Sequence, residues 1–366
     1  MVTSGLSRTA LCATHEQLGA KMSPFGGFLM PIHYSGILDE HRAVRSAAGM
    51  FDLSHMGQFV ARGAAVADWL DGLTTNHVAT MRPNQARYNI FTNEAGGALD
   101  DAIIYRLEGR WLIVVNAANS EKMWRWLSAR KPDGVSLEDR TPESALIAVQ
   151  GPRSLELLQP LTDVDLGGVK YYHAALGEVG GVAVEMARTG YTGEDGFELF
   201  VPASAAPALW ERLMREGERV GLKPAGLGAR DMLRLEASMP LYGHELDERI
   251  TPLQAGLGWA VKLDKPAFTG KAALAAQQAA DTYERIAGAI MDGKAPARAG
   301  YAVYHGSEKI GEVRSGSPAP ALGGKNILTA LVASSVSAPG TRLEVDIRDQ
   351  RHPATVVPLP FYTRKA

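Results

Sequence analysis

Two periodicities of hydrophobic and polar residues run through the first three quarters of the chain. Apolar residues recur every three to four positions in four segments, which predicts amphipathic helices there. These segments are GILDEHRAVRSAAG, AAVADWLDGLTTN, SEKMWRWLSAR and ASAAPALWERLMREGERV. We expect the first helix to stop at Gly49. In the third, Ser120 is expected to be the N-cap and Glu121 to lie in the first turn.

Segments with a period of two lie between these helices and predict β-hairpins. The first lies within residues 93–119, with strands over 101–106 and 110–116 and Glu108-Gly109 as a two-residue turn. The second is EVGGVAVEMARTGYTGEDGFELFVP, with a long glycine-rich loop. Strand pairs followed by single helices are typical of an α+β fold rather than a doubly wound parallel sheet.

The pattern changes after about residue 275. Short apolar runs alternate with Gly, Ser and Pro turns in RIAGAIM, AGYAVYH, EKIGEVRSG and RLEVDIRDQRHPATVVPLP. This spacing predicts a small all-β barrel or sandwich at the C-terminus. The segment KAALAAQQAADTYE is expected to form a helix that joins the two parts.

Composition narrows the class of protein. The chain has 366 residues, 46% hydrophobic and 21% charged, and a formal net charge of −2, so no strong field attracts nucleic acid or an anionic membrane. One cysteine, Cys12, excludes an internal disulfide framework and a thiolate metal site, and the histidines never fall at metal-ligand spacing. The sequence contains no run of roughly 18 apolar residues and no signal-peptide core. We therefore expect a cytoplasmic protein without a metal.

Two adjacent carboxylates, Asp100 and Asp101, begin the first hairpin. Side chains alternate faces in a strand, so Asp101, Ile103 and Tyr105 share one face. The turn predicts these opposed pairs: Tyr105 with Leu112, Ile103 with Val114, and Asp101 with Asn116. A carboxylate beside a carboxamide at the end of an apolar wall suits a small polar ligand with an aromatic body. The alternative is ordinary strand-start chemistry, with a turn acceptor and a solvated charge.

A second unusual carboxylate lies in RTGYTGEDGFEL, residues 188–199. Phe197, Leu199 and Val201 share one strand face, so Glu198 and Phe200 point the other way. A carboxylate there could accept N–H groups from a planar heterocycle. The alternative is an edge-strand glutamate in solvent.

The stretch GLGARDMLRLEASMPLYGHEL, residues 226–246, predicts a helix entered through glycines. Arg230 falls in its first turn, where a cation opposes the helix dipole and therefore requires a nearby anion. That anion is either a ligand or a neighbouring side chain such as Asp231 or Glu236. The pair Tyr171-Tyr172 fits either strand aromatics or a stacking platform.

Eight stretches, in this order, resemble the glycine cleavage system T-protein family of tetrahydrofolate-dependent aminomethyltransferases. They are LGAKMSPFGGFLMPIHY, AGMFDLSHMGQF, NEAGGALDD, VVNAAN, QGP, RTGYTGEDGFEL, GLGARDMLRLEASMPLYGHEL and the C-terminal LPF. The resemblance covers essentially the whole chain.

The resemblance implies a three-domain cloverleaf around a central folate channel, with two α+β domains and a C-terminal all-β barrel. Domain 1, which would bind folate, is expected to comprise residues 1–52 and 143–245. Domain 2, which would carry Asp101, is expected to comprise residues 53–142 and 246–275. Domain 3 is expected to be the barrel, residues 276–366.

The resemblance also implies the chemistry. Lipoylated H protein would deliver an aminomethyl group, ammonia would be released, and the methylene would pass to tetrahydrofolate. The family's essential aspartate falls on Asp101, and Glu198 would hold the pterin edge. The expected folate-binding residues are Met56, Tyr88, Ile103, Tyr105, Val114, Asn116, Tyr171, Tyr172, Tyr191, Glu198, Arg230 and Tyr362.

The sequence departs from the family pattern at two positions, with Phe28 in place of a usual tryptophan and Met239 where some members carry tyrosine. A tetrahydrofolate-dependent demethylase of a small methylated substrate is the alternative function. Iron–sulfur assembly relatives carry a Lys-Gly-Cys-Tyr-type motif, whereas the corresponding stretch here, VKLDKPAFTGKAAL, has no cysteine.

Overall fold

The computed structural model describes residues 5–364. In that range the α-helices are α1 (Cys12–Gln17), α2 (Ile37–Ser46), α3 (Val66–Leu73), α4 (Ser120–Ser128), α5 (Ser154–Leu158), α6 (Ala206–Gly217), α7 (Leu227–Glu236) and α8 (Lys271–Ala280). The first strands are β1 (Lys21–Phe25), β2 (Phe28–His33), β3 (Ala48–Asp52), β4 (Gly57–Arg62), β5 (Gln85–Thr92), β6 (Ala98–Leu107), β7 (Arg110–Val115), β8 (Ser136–Asp139) and β9 (Ser144–Gln150). The remaining strands are β10 (Ala174–Val179), β11 (Val182–Ala187), β12 (Gly196–Pro202), β13 (Leu222–Pro224), β14 (Arg285–Met291), β15 (Ala302–His305), β16 (Glu308–Ala319), β17 (Lys325–Val332), β18 (Arg342–Ile347) and β19 (Gln350–Val357). None of the helices in this range is both long and apolar enough to cross a membrane.

The chain divides into two compact units. Unit 1 comprises the residues up to Leu70, Val78–Tyr88 and Ala102–Asp231. Unit 2 comprises Asp71–His77, Asn89–Asp101 and the residues from Met232 onward. The three-domain division, with its boundaries at residues 52, 142, 245 and 275, remains a prediction.

A six-stranded sheet forms the main core of unit 1, in the order β10-β11-β12-β9-β3-β13. One face of β12 is apolar, and Phe197, Leu199 and Val201 belong to the buried cluster, as the alternation predicts. Helix α6 covers this face with Leu209, Trp210 and Leu213, which recur at helical spacing. Glu198 and Phe200 therefore point away from the core cluster.

The predicted first hairpin belongs to a five-stranded sheet in the order β5-β6-β7-β4-β8. Gly109, with φ of 70°, completes the two-residue turn between β6 and β7. The ladder pairs Tyr105 with Leu112 and Ile103 with Val114, which confirms the predicted register. Its last pair is Ala102 with Val115, so an Asp101–Asn116 pair remains a prediction.

Unit 2 contains a closed six-stranded barrel in the order β14-β17-β16-β15-β18-β19. Inward-facing aliphatic residues such as Val303, Val313, Ala330 and Val345 fill its core. Helix α8 precedes the barrel as expected. The α+β class and the all-β barrel at the C-terminus are thereby confirmed.

Two local predictions are wrong. Helix α2 ends at Ser46, and Gly49 lies inside β3, where a Cβ would be 2.3 Å from Val44 Cγ2. Gly49 therefore allows close packing of helix on strand rather than ending the helix. Ser120 is the first residue of α4, and Asn119 is the N-cap without a side-chain capping bond. A 3₁₀ turn, Ala117–Asn119, leads directly into α4, so Ser120 already has helical dihedrals; Glu121 does lie in the first turn.

Candidate active site

Strand β6 presents two unlike faces, and the aspartate pair lies across them. Ala102 and Ile104 are buried on one face, together with Asp100, which has no exposed surface. Asp101 and Ile103 lie on the other face and are only half-buried. Asp100 is therefore not a solvated charge, and the strand-start alternative stays open for the pair as a whole. Asp101 lies on the face whose side chains are partly exposed.

Tyr105 and Glu198 meet inside unit 1 although 93 residues separate them in the chain. The Tyr105 hydroxyl donates to Glu198 Oε2 at 3.1 Å, and the Thr189 hydroxyl donates to the same oxygen at 2.6 Å. The Tyr105 ring packs edge-on against Phe200, with centroids 5.3 Å apart. Burial, and then the negative charge of Glu198, raises the pKa of Tyr105, so its hydroxyl keeps the proton that it donates.

Glu198 lies on an interior strand, between β11 and β9, and its side chain is buried. The edge-strand alternative is therefore wrong. Both hydroxyl donors reach Oε2, and in the described part of the chain no donor reaches Oε1. An ionised carboxylate accepts on both oxygens, so Oε1 retains the capacity to accept a ligand N–H.

Arg230 extends from the first turn of α7 and stacks over the Tyr191 ring, 4.6 Å from its centroid. Among residues 5–364, no carboxylate lies within ion-pair distance of its guanidinium, so neither Asp231 nor Glu236 is its counter-ion. Burial lowers the pKa of Arg230, and the nearby Tyr191 and Glu198 partly offset that effect. A half-buried guanidinium stacked on an aromatic ring can donate N–H groups to an anionic or carbonyl oxygen.

Tyr171 and Tyr172 precede β10 in a turn, so they are not strand aromatics. Their rings meet edge-on at 4.8 Å, and Tyr171 is 48% exposed. Tyr172 has a left-handed backbone with φ of 58°, which is costly for a bulky residue. Its main chain bonds to Arg188 and Ala86 at 3.0 and 2.8 Å hold that conformation. Tyr172 also lies close enough to Tyr105 to affect its pKa.

The remaining predicted residues are distributed as follows. Met56 is half-buried in the short connection between β3 and β4, Tyr88 is half-buried on β5, and Val114 is buried on β7. Asn116 is half-buried just beyond β7.

Tyr362 belongs to unit 2, as does Asp101. The Tyr362 main-chain N–H donates to the carbonyl of Glu236 at 2.8 Å. Contacts and electrostatic proximity thus group Tyr105, Glu198, Tyr172, Tyr191 and Arg230 in unit 1. The binding roles of all the predicted residues, these five included, remain predictions.

Three buried residues of unit 1 were not predicted from the sequence pattern. The Thr189 hydroxyl donates to Glu198, and the Gln150 side chain donates to the main-chain carbonyl of Thr189. The sequence pattern assigned neither residue a hydrogen-bonding role. His55 is 2% exposed and is packed edge-on by Phe25 and Phe28. Burial is the main cause that lowers the pKa of His55 to about 4. The negative charge of Asp52 acts against this shift, and the positive charge of Arg230 adds to it. Phe28, the departure from the family tryptophan, thus contributes to this enclosure.

Comparisons with known proteins agree with this architecture. Residues 11–265 match the family described as the GCVT N-terminal domain, and residues 285–363 match the glycine cleavage T-protein C-terminal barrel domain. An aminomethyltransferase of Geobacillus thermodenitrificans is 47% identical over 362 residues, covering 98% of this chain and 99% of the relative. An aminomethyltransferase of Streptomyces coelicolor is 47% identical and covers 100% of both chains.

A solved structure is also similar. The crystal structure of the glycine cleavage system aminomethyltransferase T from Bartonella henselae has a TM-score of 0.91 and 31% identity, with 98% of each chain covered. Fold and matches together define a transferase of the aminomethyltransferase class. The chain belongs to the glycine cleavage T-protein family.

Proposed function

We propose that this enzyme takes an aminomethyl group from the reduced lipoyl arm of H protein and transfers its methylene carbon to tetrahydrofolate. Ammonia leaves, and dihydrolipoyl H protein and methylene-tetrahydrofolate are the products. The observation that supports folate as acceptor is the Glu198–Arg230 arrangement of unit 1. It combines a buried carboxylate that has one unoccupied oxygen with a half-buried guanidinium that has no carboxylate partner.

A pterin suits this arrangement because it carries N–H donors and a carbonyl acceptor along one planar edge. Glu198 Oε1 would accept from the donors, and the Arg230 guanidinium would donate to the oxygen. Tyr172 and Tyr191 supply aromatic surface for the flat ring system, as expected of a largely apolar site with few polar groups. Met56, Tyr88, Ile103, Val114, Asn116, Tyr171 and Tyr362 remain proposed contacts.

Asp101 is the proposed catalytic carboxylate. It lies on the half-buried face of β6, on the same face as Ile103 and Tyr105. A fixed carboxylate would stabilise the cationic iminium, shared by the methylene carbon and the folate nitrogen, that forms as ammonia leaves with the electron pair of its own C–N bond. Orientation of the folate nitrogen against the lipoyl-borne carbon supplies the rest of the rate enhancement. The chemistry requires no metal in this scheme.

The test mixes the protein with aminomethyl-loaded H protein and tetrahydrofolate and follows ammonia and methylene-tetrahydrofolate together. We expect stoichiometric appearance of both products, dependent on both reactants. Asp101→Asn should lower turnover by roughly 10²–10⁴ with little change in folate affinity. Asp100→Asn is the matched control, compared only after its thermal unfolding shows that it is folded.

Two outcomes would contradict the proposal. An Asp101→Asn enzyme with normal turnover, or a folded Asp100→Asn enzyme that is equally inactive, would remove the role of Asp101. Folate binding without either product would instead favour the demethylase of a small methylated substrate.

A further inference from the structure

Gln150, the last residue of β9, connects two parts of the loop that leads into β12. Its side chain has no exposed surface. Its Nε2 donates to the main-chain carbonyl of Thr189 at 3.0 Å, and its Oε1 accepts from the Thr192 hydroxyl at 3.0 Å. The carboxamide therefore ties the beginning and the middle of this loop to the central sheet.

Two glycines show how tightly the loop packs on this carboxamide. A Cβ on Gly190 would lie 2.0 Å from Gln150 Oε1, and a Cβ on Gly196 would lie 2.6 Å from Gln150 Nε2. Neither position can accept a side chain without displacing Gln150. The main chain of Thr189, which immediately precedes Gly190, is accordingly fixed in place.

Thr189 passes this constraint to Glu198. Its hydroxyl is buried and lies 2.6 Å from Glu198 Oε2, a length typical of a charge-assisted bond between a hydroxyl and a carboxylate. With the Tyr105 hydroxyl also donating to Oε2, that oxygen has two partners and the carboxylate has one preferred orientation. Oε1 is then the oxygen presented to a ligand.

We propose that Thr189 and Gln150 are positioning residues that orient the Glu198 carboxylate for recognition of the pterin edge. This inference depends on the proposed function, because it assumes that Glu198 binds folate. Neither residue contacts the reacting atoms in this scheme. Their effect falls on folate affinity and not on the chemical step.

The first test is Thr189→Val, which keeps the shape of the side chain and removes the hydroxyl. We expect the Kd for tetrahydrofolate to rise about tenfold, while kcat at saturating folate stays within about twofold. Thr189→Ser should restore affinity because it restores the hydroxyl. Gln150→Met should also raise the Kd for tetrahydrofolate.

Thr75→Val is the matched control, since the Thr75 hydroxyl is also buried but has no hydrogen-bond partner among the described residues.

A double-mutant cycle separates positioning from general structural damage. Once Glu198→Gln has removed the carboxylate, Thr189→Val should cost little further affinity. Additive losses in the cycle, or no rescue by Thr189→Ser, would overturn the inference. If wild-type protein fails to bind tetrahydrofolate, or Glu198→Gln binds it normally, the proposed function fails instead. If Glu198→Gln weakens binding and Thr189→Val does not, only the positioning role fails.

Discussion

Arg230 and Arg234 lie one turn apart on α7, yet their surroundings differ in kind. Arg234 is 1% exposed and pairs with Glu245 at 3.0 Å, while its other nitrogen donates to Ser315 at 2.8 Å. Arg230 has only the Tyr191 ring beneath its guanidinium and no carboxylate within ion-pair distance among residues 5–364. Arg234 is a buried cation that the protein pairs with a carboxylate, which serves the fold. Arg230 is half-buried and has no ion pair, which is why we propose it as a ligand-binding residue.

The Arg234 guanidinium and its partner carboxylate, Glu245, both have further hydrogen-bond partners. Although burial raises the pKa of Glu245, Arg234, the Thr329 hydroxyl and the Leu241 N–H together bring it below its ordinary value. Thr329 and the Leu241 N–H donate to different oxygens of the carboxylate. Both carboxylate oxygens of Glu245 thus have protein donors, whereas Glu198 keeps Oε1 open.

The largest effect on stability is expected from Arg234→Met. It leaves the Glu245 carboxylate buried without its cation, which typically costs about 3–5 kcal/mol. Urea unfolding should show this loss in the free energy of unfolding. Arg230→Met is the control one turn away, and it should lose less than about 1 kcal/mol. Equal losses for the two variants would contradict the distinction drawn between them.

Acidification should destabilise the protein through His55. Its folded pKa of about 4 lies below the unfolded value, so the unfolded chain binds the proton first as pH falls. The resulting loss develops from about pH 6.5 downward and approaches about 3 kcal/mol near pH 4. His55→Asn should flatten this part of the stability profile. An equally steep profile in His55→Asn would exclude this cause.

The sequence pattern predicted the β6–β7 hairpin because turn geometry and strand alternation depend on residues close together in the chain. Glycine at position 109 allows the tight turn, and the period of two then fixes which residues of β6 and β7 oppose each other. The Tyr105–Glu198 bond has no such local cause, because it depends on how two different sheets pack. Strand alternation and helix position indicated Glu198 and Arg230 as candidates, and the resemblance to a family assigned them to a folate site. It did not indicate that the Thr189 hydroxyl donates a hydrogen bond to Glu198 Oε2. Nor did it indicate that Arg230 forms no ion pair with a carboxylate among residues 5–364.

The failed local predictions have an equally physical explanation. Gly49 resembles a helix stop in the sequence, but the close approach of Val44 is what requires a glycine there. Ser120 resembles an N-cap, but the preceding 3₁₀ turn already directs the chain into the helix. His55 looks like an isolated polar residue, and its burial depends on Phe25 and Phe28, which arrive from a separate hairpin.

The most direct measurement is the equilibrium affinity of Arg230→Met for tetrahydrofolate, compared with wild type at pH 7. Loss of charge-assisted hydrogen bonds from an arginine costs about 2 kcal/mol, so we expect Kd to rise roughly 30-fold while the protein remains folded. That result would place the folate at the arginine that the protein leaves without a counter-ion. Unchanged affinity in a folded Arg230→Met protein would contradict the assignment of this cluster as the folate site.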